Sequence, residues 1–333
     1  MSVFVAWGRL SRRTVSLSRE LGLELFFVRD KAPYMKSFLK TYRFLSRRRP
    51  NLVFVQLPQG PLLAEVVRLS RRHGFEVVAD VHTGFIYPVT LKEVVLNKPF
   101  WKYLRETTLV LVHNKLEKKL VEKTLKTPSS KVVLVYDPLP RIPEELSKPR
   151  IEAEPGSYLI LPSSWAPDEP LEFVVREFLK SRISRNHSLV LTGNWRRNLN
   201  LYKRIQEFVR SSNKIVLTGY LKDSEYYYLL KNAKAVIAAT NREYTMLHAL
   251  WEAIAARVLA LIPKTKTLEA EISGEYACFY TFQQDSLREC LDKCIDEYYP
   301  FVKTLFIGIA EKLATASDKS ILNLRSLITT IER

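Results

Sequence analysis

The stretch TGYLKDSEYYYLLKNAKAVIAAT (218–240), continuing as NREYTMLHALWEAIAARVLALIP (241–263), decides the fold class. It opens on the end of a strand-sized apolar run at 214–217, turns, carries a helical pattern over 223–232, and enters a second apolar run at 235–239. A polar loop from Asn241 to Thr245 then opens another helical pattern at about Met246, and VLALI at 258–262 is a further strand. The runs are near-continuous rather than alternating, as expected where both faces of a sheet are covered. A short strand followed by a helix, repeated, marks a parallel sheet with helices on both faces.

The same rhythm extends in both directions. Across the second half, strands are expected at 157–161, 188–192, 214–217, 235–239, 258–262 and 277–280. Helices are expected at 168–180, 198–210, 223–232, 246–256, 265–272 and 285–297, with one or two more over 300–333. Upstream, DPLPRIPEELSKPRIEAEPG (137–156) carries five prolines and no apolar run. Proline removes backbone donors and fixes φ, so this segment reads as a linker. Before it, strands at 3–7, 24–28, 52–57, 76–80, 109–113 and 132–135 alternate with basic amphipathic helices at 12–21, 33–47, 60–73, 98–106 and 115–125. The expected architecture is α/β, two doubly wound Rossmann-like domains facing across a cleft. They occupy 1–140 and 157–300, with a proline-rich hinge at 141–156 and C-terminal helices at 301–333. Sheets of this kind bind ligands beyond the carboxyl ends of their strands, and pockets form where domains meet.

With 333 residues, 47% of them apolar, each half can build a core. No apolar run approaches the ~18–20 residues of a membrane span. VFVAW at 3–7 precedes Arg9, Arg12 and Arg13, the reverse of the charge-then-apolar order of a signal peptide. The expected location is therefore cytoplasmic. Cys278, Cys290 and Cys294 show no zinc-ligand spacing with a histidine and are expected to be buried small hydrophobes in a reducing compartment.

The net charge of +17 is uneven. Residues 1–150 hold 28 Lys and Arg against 13 Asp and Glu, whereas residues 151–333 hold 24 against 22. The first half should therefore meet something anionic: phospholipid headgroups, a polyprenyl-phosphate carrier, a polyanionic glycan or a nucleic acid. Peripheral attachment to the inner membrane face, through helices around 33–49 and 115–126, is the corresponding expectation.

Several loops at strand ends carry chemistry. Thr245 is a plausible N-cap, and the free N–H groups at a helix start make a site for phosphate or diphosphate. LILPSSWAPDEP (159–170) places Ser163 and Ser164 after a strand, and TGNWRRN (192–198) places Gly193, Arg196 and Arg197 after the next. In the first half, DVHTGF (80–85) sets Asp80, His82 and Gly84 at a strand's carboxyl end, where such sheets form their sites, and the His82 imidazole could hydrogen-bond a ligand hydroxyl. His113 and Asn114 end another strand. AWGRLSRR (6–13) ends the first strand, and Gly8 allows a close turn beside Arg9 and Arg12. There is no Gly-x-Gly-x-x-Gly, no Gly-Lys-Ser/Thr phosphate loop and no Gly-x-Ser-x-Gly elbow.

KIVLTGY, DSEYYYLLKNA, KAVIAAT, RE and LWEAIA, in this order over 214–255, resemble the donor-binding half of the family-four retaining glycosyltransferases, which share the GT-B fold. Asp80-x-His82-x-Gly84 and the S-x-x-x-D-E-P-like run Ser164–Pro170 resemble segments of a subset of that family. The resemblance implies a hexosyltransferase-like enzyme of glycan biosynthesis with a nucleotide-sugar co-substrate. It implies that Glu243 contacts the donor sugar and that Glu252 holds the ribose hydroxyls. Backbone N–H groups of Thr245, Met246 and Leu247 would take the diphosphate. Ser163, Ser164, Gly193, Arg196, Tyr220 and Leu221 fall on the donor side, His82 faces the donor sugar as a catalytic residue, and Gly8, Arg9, Arg12 and Gly84 fall on the acceptor side. The C-terminal tail would cross back onto the first domain.

Glu243 and Glu252 lie nine positions apart where the family has eight; either the loop holds one extra residue or Tyr244 takes the first glutamate's place. No Asp-x-Asp pair follows a strand, so neither a divalent metal nor another cofactor is expected. The partners implied are a nucleotide-sugar donor, a lipid-linked or glycan acceptor and an anionic membrane surface. A non-catalytic GT-B-like binding protein is the alternative. A nucleic-acid-binding protein is a third reading, without a recognition helix or stacking motif to support specific binding.

Overall fold

The computed structural model describes residues 1–151, 153–272 and 276–332; Glu152 of the proline-rich segment and Arg333 of the tail lie outside them. The chain forms two compact units, Met1–Pro138 together with the chain from Ala316 onward, and Leu139–Thr315.

The first unit holds a six-stranded sheet of β1 (Ser2–Trp7), β2 (Glu24–Val28), β3 (Leu52–Gln56), β4 (Glu76–Asp80), β5 (Leu109–Val112) and β6 (Val132–Leu134). Its order is β2-β1-β3-β4-β5-β6, and every pairing is parallel. All five residues of β3 are buried, which accounts for its unbroken apolar reading. One core packs the helices Met35–Arg48 and Gly60–His73 and the segment Thr83–Glu106 onto one face. A second core, on the other face, packs the helix Arg12–Leu21 and the end of the C-terminal helix Tyr299–Ile331 through Leu17, Ile321, Leu324 and Ile328.

The second unit holds β7 (Tyr158–Leu161), β8 (Ser188–Thr192), β9 (Ile215–Gly219), β10 (Ala235–Ile237), β11 (Ala260–Pro263) and β12 (Phe279–Tyr280). They run parallel in the order β12-β11-β10-β7-β8-β9. Between β6 and β7 there is no helix or strand among the described residues. The later part of this segment lies along the helix Asp223–Asn232: Ser147 N–H donates to Ser224 O and Gly156 N–H to Asn232 O.

Each expected strand is present, so the α/β expectation of two parallel sheets holds. The helix expected from Met246 begins at His248, with Leu247 and not Thr245 as its N-cap. The helix expected over 285–297 is α-helical to Leu291 and then widens into a π-turn over Asp292–Glu297. Cys278, Cys290 and Cys294 are buried free thiols. No helix among the described residues is long and apolar enough to cross a membrane.

Candidate functional site

In the second sheet the chain runs outward through β7, β8 and β9, then returns across β7 to β10. The loops leaving the carboxyl ends of β7 and β10 therefore meet at a topological switch point, the place where doubly wound sheets bind ligands. The β7 loop is organised by Glu169. Its carboxylate accepts the Ser163 hydroxyl at 2.5 Å, the Ser164 hydroxyl at 2.8 Å and the Ser164 N–H at 3.0 Å. Both candidate serines are thus turned onto a residue of their own loop. Trp165 follows in the left-handed region at φ 59°, buried, its indole N–H donating to Thr192 O at 3.2 Å.

Gly193, after β8, also has a positive φ, and a Cβ there would lie 1.9 Å from Ser163 O. Only glycine fits this crossing of two loops. Arg196 is exposed in a single helical turn, its guanidinium 5.6 Å from the Trp195 ring centre. Tyr220 is exposed and Leu221 partly buried, just beyond β9.

The β10 loop is tied to the β7 loop: Thr240 donates its hydroxyl to Asp168 at 3.1 Å, and Asn241 N–H donates to Asp168 O at 2.9 Å. Arg242 follows, a partly buried cation at the switch point that the sequence reading passed over. Glu243 folds onto the start of the helix Lys266–Glu271, accepting Lys266 N–H at 3.3 Å and the Thr267 hydroxyl at 3.4 Å. Tyr244 takes φ 60° and donates its N–H to Thr267 at 2.8 Å. This left-handed step carries Thr245, Met246 and Leu247 past Glu243 before the helix starts, and Leu247 offers no side-chain cap. Glu252, in the second turn and 3% exposed, accepts the Tyr226 hydroxyl at 2.5 Å and lies 3.2 Å from His248 Nε2.

In the first sheet, the carboxyl ends of the adjacent strands β4, β5 and β6 bring together Asp80, His82, His113 and Asp137. The sequence reading missed the cation at their centre. Arg13, buried in the first turn of the helix Arg12–Leu21, donates to Asp80 at 3.0 Å and to Asp137 at 2.7 Å. Arginine in a first helical turn opposes the helix dipole, and that was the available signal. His82 Nε2 lies 3.5 Å from Asp80, His113 Nε2 lies 3.7 Å from it, and the two rings meet edge to face at 4.8 Å.

Burial opposes ionisation of Asp80, but the Arg13 charge and the two imidazoles hold its pKa well below the usual carboxylate range. Burial, then the Arg13 charge, lower the His113 pKa, so its ring is neutral at pH 7. Burial raises the Glu117 carboxyl to about 8, although it accepts His113 N–H at 2.7 Å and the Thr83 hydroxyl at 3.3 Å. Asp80, His82 and His113 each place a ligand atom within 4.8 Å of the others, a spacing that could hold a metal ion. Arg13 already supplies positive charge to the same carboxylate, which disfavours a second cation there.

Nearby, Gly8 turns at φ 72° with a Cβ position 3.2 Å from Asp30 O, and Gln56 fixes the Arg9 carbonyl through a 2.7 Å bond. Arg12 is exposed beside buried Arg13. Gly84 accepts Asn97 Nδ2 at 3.0 Å. The first-half candidates therefore share one sheet edge with the Asp80 cluster.

No family model and no curated protein matches this sequence. Solved structures match its fold. HepE of Anabaena in complex with UDP-glucose aligns at a TM-score of 0.75 and 10% identity, over 98% of this chain and all of that one. Sucrose-phosphate synthase of Thermosynechococcus elongatus aligns at 0.77 and 11%, over 99% of each chain. The lipopolysaccharide outer core galactosyltransferase WaaB, in its apo form, aligns at 0.66 and 11%, over 99% of this chain and all of that one. At such identities the likeness establishes the fold, that of the GT-B glycosyltransferases.

Proposed function

We propose that the chain is a glycosyltransferase that moves a sugar from a nucleotide-sugar donor to an anionic or membrane-associated acceptor. The observation that carries this reading is the β10 loop at the switch point. It leads into a helix without a side-chain cap, whose second turn holds the buried carboxylate of Glu252. The N–H groups of a helix start and the helix dipole suit a diphosphate, Arg242 adds positive charge, and a buried carboxylate suits a pair of ribose hydroxyls. HepE, of the same fold, was solved with UDP-glucose.

In this reading catalysis consists of positioning and stabilisation of the departing diphosphate. Glu243 and His82 are the proposed catalytic residues, and Ser163, Ser164, Gly193, Arg196, Tyr220 and Leu221 shape the donor side. Transfer proceeds with retention and without a metal, so EDTA should leave it intact. The site of action is cytoplasmic, at the inner membrane face, and the family-four subset with the Asp80-x-His82-x-Gly84 segment is the proposed kinship. Isothermal titration against UDP-, GDP- and ADP-linked sugars is the test; silence with all three would refute the reading.

A second reading, donor binding without turnover, is favoured by the docking of Glu243 on Lys266 and Thr267. Glu243→Ala separates the two: an enzyme loses transfer, whereas a binding protein has none to lose.

A further inference from the structure

The helix Met35–Arg48 is packed with its apolar stripe outward. It buries Ser37, Thr41 and Leu45, held by polar contacts as well as packing: Thr41 accepts the Trp7 indole N–H at 2.8 Å, and Ser37 N–H donates to Asp30 at 3.0 Å. Met35, Phe38, Leu39 and Tyr42, spaced i, i+3, i+4 and i+7, face solvent; Met35 is 73% exposed and Leu39 48%. Lys36, Lys40, Arg43 and Arg47 form a second stripe, i, i+4, i+7 and i+11, beside it. Between Asp30 and Glu65 the chain has seven Lys or Arg and no acid.

A second exposed apolar segment, Val89, Leu91 and Val95, lies on the same sheet face with Lys92 and Lys98, and the helix Gly60–His73 packs against both. Water penalises such a surface, and monomers rarely keep one without a partner.

We infer that this face docks on an anionic lipid bilayer. The apolar stripe enters the headgroup boundary while the basic stripe meets lipid charge, the pattern of an interfacial helix. A second copy of the chain would bring like charges together. A nucleic acid would engage the cations but leave Met35 and Leu39 without a role. The inference deepens the proposed membrane-borne acceptor. It is tested apart from transfer, since partition needs neither donor nor acceptor.

The full chain is sedimented with phosphatidylcholine vesicles, with and without phosphatidylglycerol, at low and at physiological salt. The wild type should pellet with anionic vesicles and be released by salt. Met35→Ser/Phe38→Ser/Leu39→Ser and Lys36→Gln/Lys40→Gln/Arg43→Gln should each weaken partition by about tenfold or more, with unchanged circular dichroism. Leu199→Ser, an exposed position in the second unit, should change nothing. The inference is overturned if the wild type stays in the supernatant or if the apolar triple variant pellets as the wild type does. Concentration-dependent dimerisation lost in the apolar variant, or single-stranded RNA displacing the vesicles at physiological salt, would overturn it equally. Loss of donor binding with vesicle binding intact would refute only the proposed activity.

Discussion

Arg13 Nε lies 3.0 Å from Asp80 Oδ1, and both side chains are buried. The guanidinium also reaches Asp137 at 2.7 Å, so one cation ties the helix after β1 to the ends of β4 and β6. Breaking a buried pair from one side leaves an uncompensated charge, at a cost of about 3–5 kcal/mol. Asp80→Asn is therefore expected to lower stability by that order, read from urea unfolding at pH 7. The Asp80 pKa is depressed on folding. Its contribution is present above the unfolded carboxylate value and lost as pH falls through the folded one, so the gap between wild type and Asp80→Asn should narrow in acid.

A Cβ at Gly193 would meet the Ser163 carbonyl at 1.9 Å, with φ at 98°. The obstacle is backbone, so it cannot swing aside. Gly193→Ala should destabilise the second unit by at least ~2 kcal/mol. It should also weaken donor binding, because the displaced strand end carries the loop that Glu169 holds. A melting temperature equal to wild type would show that the two loops part freely.

The strands were legible because each is an apolar run that both sheet faces bury, as in Leu52–Gln56. What escaped depends on partners distant in sequence. Thr245 looked like a cap, yet Tyr244 is turned left-handed toward Thr267, and the helix starts after Leu247. Ser163 and Ser164 looked free for a ligand, and here the partner is near: Glu169, of the same loop, takes both hydroxyls. The helix Leu91–Asn97 did have a local signal that went unread, the capping box Thr90 to Glu93. Periodicity identified Met35–Arg48 as amphipathic but could not say that its apolar stripe faces outward.

Glu117 offers a pH test of opposite sign to Asp80. Burial raises its pKa to about 8 in the folded chain, above the unfolded value of ~4.3. Between those values the folded chain holds a proton that the unfolded chain has released, so this group's contribution falls as pH rises. Relative to Glu117→Gln, the wild type should lose up to about 1.4 kcal/mol per pH unit across that window. Melting temperatures of both proteins at pH 5 and pH 7.5 test this. A constant difference would mean that Glu117 is ionised in the folded chain.

Glu252 and Tyr226 test the donor reading most directly. The Tyr226 hydroxyl donates to Glu252 at 2.5 Å, and His248 Nε2 lies 3.2 Å from the other oxygen. The carboxylate is thus oriented from two sides. If it receives ribose hydroxyls, Glu252→Gln should lose hydrogen bonds to a charged acceptor, each about 1.5–3 kcal/mol, and weaken UDP binding by about 10- to 100-fold. Tyr226→Phe keeps the charge and loses one orienting bond, so its loss should be smaller, and the double variant should fall short of the sum because the two act through one group. Isothermal titration with UDP and with UDP-glucose, beside thermal melts of each variant, separates binding from folding. Unchanged UDP affinity in a stably folded Glu252→Gln would remove Glu252 from the donor site.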